Sequence, residues 1–458
     1  MNIPVVRHGR RSRGSALAAA MLVAGLGPVL WAPAANAQDA GPVLASPAQV
    51  EAEDTVLRLL AEPQVKAAEK RIGRRLAATP RGQTPAGAAR IGDAVAEWTA
   101  SVIFKDVALY QPRPAILWAT DDTPRTWLGH TLPGVGTSGD NPDNIYRLAF
   151  IDGSGHYEIA GKLDPAHRPA QFSFEFDRGD GALPKTSQAT YKAGMGNQLA
   201  MVTDRDLVIA PDGSFRLTLG GAEGGPNHVA LASGLVTVGI RDSLSDWSQI
   251  PVRLTLRRLD DAAPKTVTYA ELLGHVLADV DDYVSFWSVF PDKWFGGIAP
   301  NTVGGPTPRD GGWGFVAGVH YKLQPGEALL VRTTDGQAQY TGFQVTDTWM
   351  IAPDAKRFQT SLNTSQARAD ADGGYTYVIA PTDPGVANWL DTAGLTEGFA
   401  VLRWQALPPG AAKDGLVREV RVVRIADLAG LIGVARISPA DRRAQTLARA
   451  DGYANRTR

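Results

Sequence analysis

The region from about Pro114 to Ile425 is divided by turn residues into short apolar runs, and this pattern limits the possible folds more than any other feature of the sequence. Within runs such as Gln171–Phe176, apolar and polar residues alternate with the period of two that half-buried strands show. Asp-Gly, Gly-Gly and Pro-containing turns separate the runs, in a chain that has 49 Gly and 31 Pro. The pattern predicts a mainly β protein, built as an antiparallel sandwich or barrel.

Two parts of this region repeat the same order of residues. Each has two Asp-Gly turns that precede an aromatic residue, then an Asn-containing loop, and finally an arginine within an apolar strand. The two parts keep the last two spacings to within one residue. The matching positions are Asp152–Tyr157 and Asp335–Tyr340, Asp212–Phe215 and Asp372–Tyr375, Asn227–His228 and Asn388–Trp389, and Arg241 and Arg403.

The repeat predicts two tandem β-sandwich domains that superpose, with Arg241 and Arg403 at equivalent positions. We also expect each Asn-containing loop to lie near the arginine of its own domain or near the end of the strand that carries this arginine. The predicted organisation is a signal peptide at 1–37, a helical N-terminal segment at 38–111, a first sandwich at 112–262, a helix and long loop at 263–313, a second sandwich at 314–426 and a C-terminal tail at 427–458.

The second copy resembles the DUF1214 family of bacterial proteins of unknown function, which often accompanies the DUF1254 family. The resemblance is weaker in the first copy, where His228 replaces the Trp of the Asn-Trp pair. It implies an antiparallel, jelly-roll-like sandwich and no established reaction. The segments that carry it are Tyr340–Trp349, Ser361–Gln366, Asp372–Gly385, Asn388–Thr392 and Arg403–Trp404.

Apolar residues spaced three and four apart indicate helices outside the strand-rich region. Ser46–Leu76, interrupted at Pro63, and Pro85–Tyr110 form the helical N-terminal segment, with Ser46 as the first N-cap. Helical spacing returns at Tyr269–Trp287, and the Gly/Pro-rich stretch after it predicts a long loop. The polar, basic end at Pro439–Arg458 predicts a short helix with a frayed end.

The first residues have the organisation of an export signal. A basic, acid-free start is followed by the apolar stretch Ala16–Ala32 and by the small-residue cleavage pattern Ala35–Ala37. The Arg10-Arg11 pair fits a twin-arginine signal, and an ordinary Sec signal is the alternative. We therefore predict a periplasmic or secreted, soluble protein that has no stable membrane anchor after cleavage.

Cleavage after Ala37 would make the exported protein begin at about Gln38. N-terminal sequencing of the protein from a cell-envelope fraction tests this prediction. Recovery of an intact Met1–Ala37 segment from the cytosol would contradict it.

Composition excludes several classes of function. The formal net charge is −1, with 46 Lys+Arg against 47 Asp+Glu. The chain therefore lacks the excess of basic residues that is typical of nucleic-acid-binding proteins. The absence of cysteine excludes disulfides, thiolate nucleophiles and cysteine-ligated metals. No Gly-x-Ser-x-Gly, P-loop, His-Glu-x-x-His or EF-hand motif occurs. Histidines are not grouped at ligand spacing, so we expect neither a metal nor a cofactor.

Arg241 and Arg403 are the first candidates for a functional role. A guanidinium in an apolar strand needs an acidic or carbonyl partner. One interpretation is a structural bridge to an Asp of an Asp-Gly turn or to the Asn-containing loop. The other is a fork that binds a carboxylate, a sulfate or sugar hydroxyls.

Tryptophans beside polar residues are the second group of candidates. They are typical of carbohydrate-binding platforms and equally of sandwich cores with buried polar corners. The long loop that ends at Trp313 is the expected rim of a cleft between the two copies. The ligand-binding candidates are Trp349, Asn388, Trp389, Arg403, Trp313, Asn227, His228 and Arg241, and the catalytic candidates are Asp347, Asp391 and Arg403.

These residues leave three functions open. The first is an exported protein that binds or processes a small molecule or glycan in a cleft between the sandwiches. The second is a hydrolase or lyase that uses Asp347 and Asp391 with Arg403. The third is a non-catalytic structural protein of the cell envelope.

Overall fold

Helices begin where a capping residue is followed by proline. The computed structural model describes residues 42–179, 198–221, 224–309, 314–431 and 434–457, so the predicted signal peptide lies outside the described residues. The Ser46 hydroxyl accepts a hydrogen bond from the Gln49 amide and caps the first helix, as predicted, and Thr84 caps the third in the same way. The helices are α1 (Pro47–Leu60), α2 (Pro63–Ala77), α3 (Pro85–Leu109), α4 (Tyr269–Phe295) and α5 (Pro439–Ala454).

The first sandwich has a five-stranded sheet in the order β1-β4-β10-β6-β7 and a four-stranded sheet in the order β11-β5-β8-β9. Strands β2 and β3 form a separate hairpin. The strands are β1 (Leu117–Thr120), β2 (Arg125–Trp127), β3 (His130–Leu132), β4 (Asn144–Asp152), β5 (Tyr157–Lys162), β6 (Gln171–Arg178), β7 (Gln198–Thr203), β8 (Ser214–Leu219), β9 (His228–Val229), β10 (Leu235–Ser243) and β11 (Arg253–Arg258).

The second sandwich has a five-stranded sheet in the order β12-β13-β19-β15-β16 and a four-stranded sheet in the order β18-β17-β14-β20. The strands are β12 (Thr302–Pro308), β13 (Gly314–Lys322), β14 (Glu327–Thr333), β15 (Tyr340–Thr346), β16 (Ser361–Asn363), β17 (Tyr375–Ala380), β18 (Trp389–Asp391), β19 (Glu397–Gln405) and β20 (Val417–Arg424).

The two sandwiches have the same topology, strand for strand. In the five-stranded sheets, the counterparts of β1, β4, β10, β6 and β7 are β12, β13, β19, β15 and β16. In the four-stranded sheets, the counterparts of β11, β5, β8 and β9 are β20, β14, β17 and β18. Both contain the same exception to antiparallel pairing, a parallel pair formed by β8 with β9 and by β17 with β18. The protein is therefore mainly β, with a helical N-terminal segment and two tandem sandwiches, as the sequence predicts.

One of the sequence matches is wrong by a strand. Tyr157 lies on β5 and Tyr340 lies on β15, which is the counterpart of β6. The turns before them, Asp152–Gly153 and Asp335–Gly336, consequently join different pairs of strands. An Asp-Gly turn before an aromatic residue fits many strand connections, so this match alone does not fix the alignment.

Each sandwich encloses its own aromatic core between its two sheets. In the first, Phe174 of β6 and Phe215 of β8 are buried together with Val238 of β10. In the second, Phe343 of β15 and Tyr377 of β17 pack edge to face, with ring centroids 4.8 Å apart. Alternate residues of the five-stranded sheets therefore point away from these cores, toward the outer faces.

The outer faces of the two five-stranded sheets contribute to the contact between the sandwiches. Gln405 Nε2 of β19 donates to Gln171 Oε1 of β6 at 2.7 Å and to Ser243 Oγ of β10 at 3.1 Å. The Tyr340 hydroxyl donates to Asp143 Oδ2 at 2.8 Å. Residues 42–458 consequently form one compact unit, in which the predicted domains are two packed sandwiches.

Two predictions about the connecting segments are wrong. The expected long loop after α4 contains the edge strand β12, which pairs with β13. The C-terminal tail is docked rather than frayed, because Arg456 donates from Nη1 to Pro142 O at 2.7 Å and from Nη2 to Asn144 O at 2.6 Å. Within the part of the chain that the structure describes, no helix is both long and apolar enough to span a bilayer.

Candidate functional site

Arg241 and Arg403 occupy equivalent positions on the central strands of the two five-stranded sheets. Arg241 of β10 lies between Tyr146 and Ser173, and Arg403 of β19 lies between Val316 and Gly342. The residues before each arginine alternate between core and outer face, and both arginines belong to the outer set. The prediction of equivalent arginines is thus confirmed.

The two arginines bind equivalent partners of different charge. Each partner lies two residues beyond the cross-strand neighbour of its arginine, on β6 in one sandwich and on β15 in the other. Arg241 Nη1 donates to the carboxylate of Glu175 at 2.5 Å, whereas Arg403 Nη1 donates to the amide oxygen of Gln344 at 2.7 Å. Arg403 Nη2 donates to the carbonyl of Gly139 in the first sandwich at 2.6 Å, so both of its hydrogen-bonded acceptors are neutral.

A third arginine, Arg309, joins these two. It follows β12 directly, and it lies close enough to Arg241 and Arg403 for their charges to act on it. Burial and the repulsion of these two cations lower the pKa of Arg309 to about 9, although Tyr146 and Glu175 act in the opposite direction. Arg309 is charged at neutral pH, and burial is the main cause of its low pKa, to which the charges of Arg241 and Arg403 add. We call Arg241, Arg309 and Arg403 the arginine cluster.

The arginine cluster is deep in the protein, yet part of it is open to solvent. The Arg241 side chain is 26% exposed and that of its partner Glu175 is 23% exposed. Arg309 is half-buried, while Arg403 is 9% exposed. A cation in this setting can contact a small ligand while the surrounding protein limits its hydration.

Two acids modulate the charge of the cluster. The charge of Arg241 holds the pKa of Glu175 below its ordinary value, against the effect of burial. Burial and the repulsion of Glu175 raise the pKa of Asp177 to about 6, although Arg241 opposes this rise. Near pH 6, the net charge beside Arg241 therefore depends on the protonation of Asp177.

The two predicted asparagines have equivalent structural roles. Asn227 accepts from the Val208 amide at 2.7 Å and donates to the Val208 carbonyl at 2.8 Å, and Asn388 makes the same pair of bonds with Arg368. Both lie beside the short last strand of a four-stranded sheet. Since the core separates that sheet from the outer-face arginine, each asparagine lies across the core from its arginine, and the alternative position near the end of the arginine's strand stays a prediction.

The predicted aromatic and histidine candidates are also held away from the arginine cluster. Trp349 is buried, packs edge to face on Trp98 and donates from Nε1 to the carbonyl of Gly87. Trp389 donates from Nε1 to its own sheet at Ala380 O. His228 hydrogen-bonds Thr218 Oγ1 at 2.8 Å. Trp313 lies outside the described residues.

The three catalytic candidates are not brought together. Asp347 accepts from Arg90 Nε at 3.0 Å and from the amides of Trp349 and Ile351, which occupies its carboxylate. Burial raises the pKa of Asp391 to about 6, but Asp391 belongs to the four-stranded sheet, on the far side of the core from Arg403.

Sequence reasoning did not identify Glu175 or Gln344, and it named Arg309 only as part of the loop that was expected to form the rim of the cleft. The first two are polar residues at the outward positions of alternating strands, so their spacing shows the face on which they lie but not the arginine they meet. Arg309 was placed in a loop, because the strand before it reads as turn sequence.

Comparison with solved structures supports the fold. A putative uncharacterized protein from Burkholderia cenocepacia superposes with a TM-score of 0.63 at 23% identity, over 81% of this chain and 100% of that chain. The VPA0106 protein from Vibrio parahaemolyticus has a TM-score of 0.34 at 14% identity, over 62% of this chain and 90% of that chain. This TM-score is too low to indicate a shared fold. No family model and no curated protein matches the chain, so the resemblance to DUF1214 stays a prediction. What the chain shares with the Burkholderia protein is its fold.

Proposed function

We propose that this is an exported protein that binds a small molecule through a carboxylate or sulfate group at the arginine cluster, between the two sandwiches. The observation that carries the proposal is the difference between equivalent partners. Arg241 has the acid Glu175, whereas Arg403 has the neutral Gln344 at the same place. The charge of Arg403 acts on the nearby buried Asp140, but no hydrogen bond joins the two among the described residues. A ligand anion would supply the hydrogen-bonded negative charge that Arg403 lacks.

The chemistry of the cluster fits such an anion. Guanidinium groups bind carboxylates and sulfates through two parallel hydrogen bonds, which sets the orientation of the ligand. Arg309 adds a further positive charge, and a bound anion would offset the repulsion that Arg241 and Arg403 exert on it. A hydrolase or lyase is less well supported, since Asp347 is occupied and Asp391 lies on another sheet.

Exchanging the two partners tests the proposal. Glu175→Gln gives the first copy the arrangement of the second, and we expect it to strengthen binding of malonate about tenfold. Gln344→Glu gives the second copy the arrangement of the first and is expected to weaken that binding by a similar factor. Thermal stabilisation by malonate at constant ionic strength measures both effects.

The controls separate a local effect from a change of net charge. Glu51→Gln and Gln324→Glu make the same charge changes at exposed residues and should leave malonate binding unchanged. Because misfolding cannot produce tighter binding, Glu175→Gln keeps the test valid even if Gln344→Glu reduces stability. Equal binding by Glu175→Gln and wild-type protein would contradict the proposal.

The affinity for sulfate is expected to fall as pH rises from 5 to 7. Asp177, with a pKa of about 6, gains a negative charge over this interval, whereas sulfate keeps its charge. The added charge beside Arg241 opposes a bound anion. Calorimetric titration of wild-type protein and Asp177→Asn with sulfate should show this pH dependence in the wild type alone. A variant with the same pH dependence as the wild type would refute this role for Asp177.

A further inference from the structure

A cavity of about 600 Å³ lies at one end of the first sandwich. Its walls come from the chain that follows α3, from the ends of β10 and β11, and from the irregular segment 259–265 that leads toward α4. That segment is held by main-chain hydrogen bonds from Leu259 N to His156 O at 2.7 Å and from Lys265 N to Pro112 O at 2.9 Å. We call this cavity the linker pocket. Its volume is in the range of small-molecule sites.

The floor of the linker pocket is apolar and fixed. Phe150 and Tyr157 are buried, and Leu235 and Leu256 are half-buried beside them. Phe150 packs in the core between the helices and the five-stranded sheet, while Tyr157 belongs to the core of the sandwich. A ligand with a hydrocarbon or aromatic body could cover this floor without rearrangement of the fold.

The rim of the linker pocket carries four basic side chains, Arg113, Arg257, Arg258 and Lys265, against three acids, Asp152, Asp260 and Asp261. Lys265 Nζ donates to the carbonyl of Leu109 at 2.9 Å, and no ion pair of Lys265 or Arg113 occurs among the described residues. Two of the acids at the rim are engaged, since Asp260 pairs with Arg258 and Asp152 accepts from the amide and hydroxyl of the adjacent serine. Partial burial also lowers the pKa of Lys265, against the charge of Asp152.

We propose that the linker pocket binds a small monocarboxylate with an apolar body, whose head group contacts Lys265 and Arg113 while its body covers Phe150 and the two leucines. The apolar floor selects the body, and Lys265 and Arg113, which make no ion pair among the described residues, select the head group. This site is independent of the arginine cluster, because it lies at another place in the fold and shares no residue with it.

Octanoate and octanol, titrated calorimetrically into the protein, test the proposal as a matched pair. The titrations are made in the Gln344→Glu background, which suppresses carboxylate binding at the arginine cluster. We expect octanoate to bind, Lys265→Gln to weaken it about tenfold, and Lys265→Arg to preserve it. Binding of octanol should be the same in all variants.

Two further variants complete the test. Ala263→Glu places a negative charge at an exposed position of the rim and is expected to repel octanoate without removing any packed group. Lys413→Gln removes an exposed lysine elsewhere and should have no effect. Octanoate binding that is absent, or equal in wild type, Lys265→Gln and Ala263→Glu, would overturn the proposal and would leave the malonate results unaffected.

Discussion

Replacement of Glu53 by leucine is expected to reduce the free energy of unfolding by about 3–5 kcal/mol, which is the cost of leaving a buried charge without its partner. Glu53 lies in α1 and is fully buried. Its carboxylate accepts hydrogen bonds from Arg125 Nη2 at 2.7 Å, Trp127 Nε1 at 2.8 Å and His130 Nε2 at 2.6 Å, all from the β2–β3 hairpin. Leucine would leave the guanidinium of Arg125 buried without an acid.

Urea unfolding measures the loss, and Glu51→Leu is the matched control. Glu51 lies two residues earlier on the exposed side of the same helix, so its replacement should change stability by less than about 0.5 kcal/mol. Equal losses in the two variants would show that the hairpin contacts of Glu53 do not stabilise the fold.

The contribution of Glu53 should also depend on pH. Burial alone would raise the pKa of Glu53, but the charge of Arg125 and the hydrogen bonds outweigh it and hold the pKa below its ordinary value. Stability from a lowered carboxyl pKa is present above the pKa of the unfolded chain and is lost as pH falls through the folded value. The difference between wild type and Glu53→Leu should therefore shrink in acid.

Glu97→Gln should have the opposite effect and stabilise the protein at pH 8. Glu97 Oε2 of α3 and Asp122 Oδ1 are both buried without a hydrogen-bond partner among the described residues. The two oxygens lie close together beside Gly136. A Cβ added to Gly136 would be 2.5 Å from Glu97 Oε2 and 2.1 Å from Asp122 Oδ1. Two carboxylates cannot both be ionised so close together in a buried site without a large cost.

The sign of the pH dependence follows from the direction of the shifts. Burial raises the pKa of Glu97 well above its ordinary value, and the charges of Asp347 and Asp140 raise it further. The folded protein therefore holds this proton at a pH where the unfolded chain has lost it. The stabilising contribution of the protonated acid is present at low pH and falls as pH rises above the pKa of the unfolded chain, until the folded value is passed.

Glutamine has no titrating proton, so the gain from Glu97→Gln over wild type should grow from pH 5 to pH 8. The growth is at most about 1.4 kcal/mol for each pH unit between the unfolded and the folded pKa of Glu97. Thermal unfolding at both pH values measures it, with Asp54→Asn at an exposed position of α1 as the control. A gain that is the same at both pH values would refute the protonated state of this pair.

Local sequence signals predicted much of the fold. The Ser46 cap, the break at Pro63 and the alternating strands depend on neighbours in the chain, so short patterns reveal them. The sequence did not predict strand β12, because glycine and proline at Gly304, Gly305, Pro306 and Pro308 are typical of loops. An edge strand tolerates proline, since one of its sides needs no ladder partner.

The partners within the candidate site depend on the fold and not on local sequence. Arg241 was expected to meet a turn or loop residue, but its partner Glu175 lies 66 positions earlier on a neighbouring strand. The partners of Glu53 could not be predicted from local sequence either. In the sequence it is one more acid near the start of a helix, and only the packing of the β2–β3 hairpin makes it the centre of a buried network.

The shared topology of the two sandwiches also bears on how such a site can evolve. Two identical sandwiches, associated as a symmetric dimer, would carry the same partner for both central arginines, because one gene position would encode both. In this chain the two halves are encoded separately, so one arginine can have the acid Glu175 as its hydrogen-bond partner while the other has the neutral Gln344. Two copies in one chain can thus keep an ion pair in one half while the other half has a different partner at the same place.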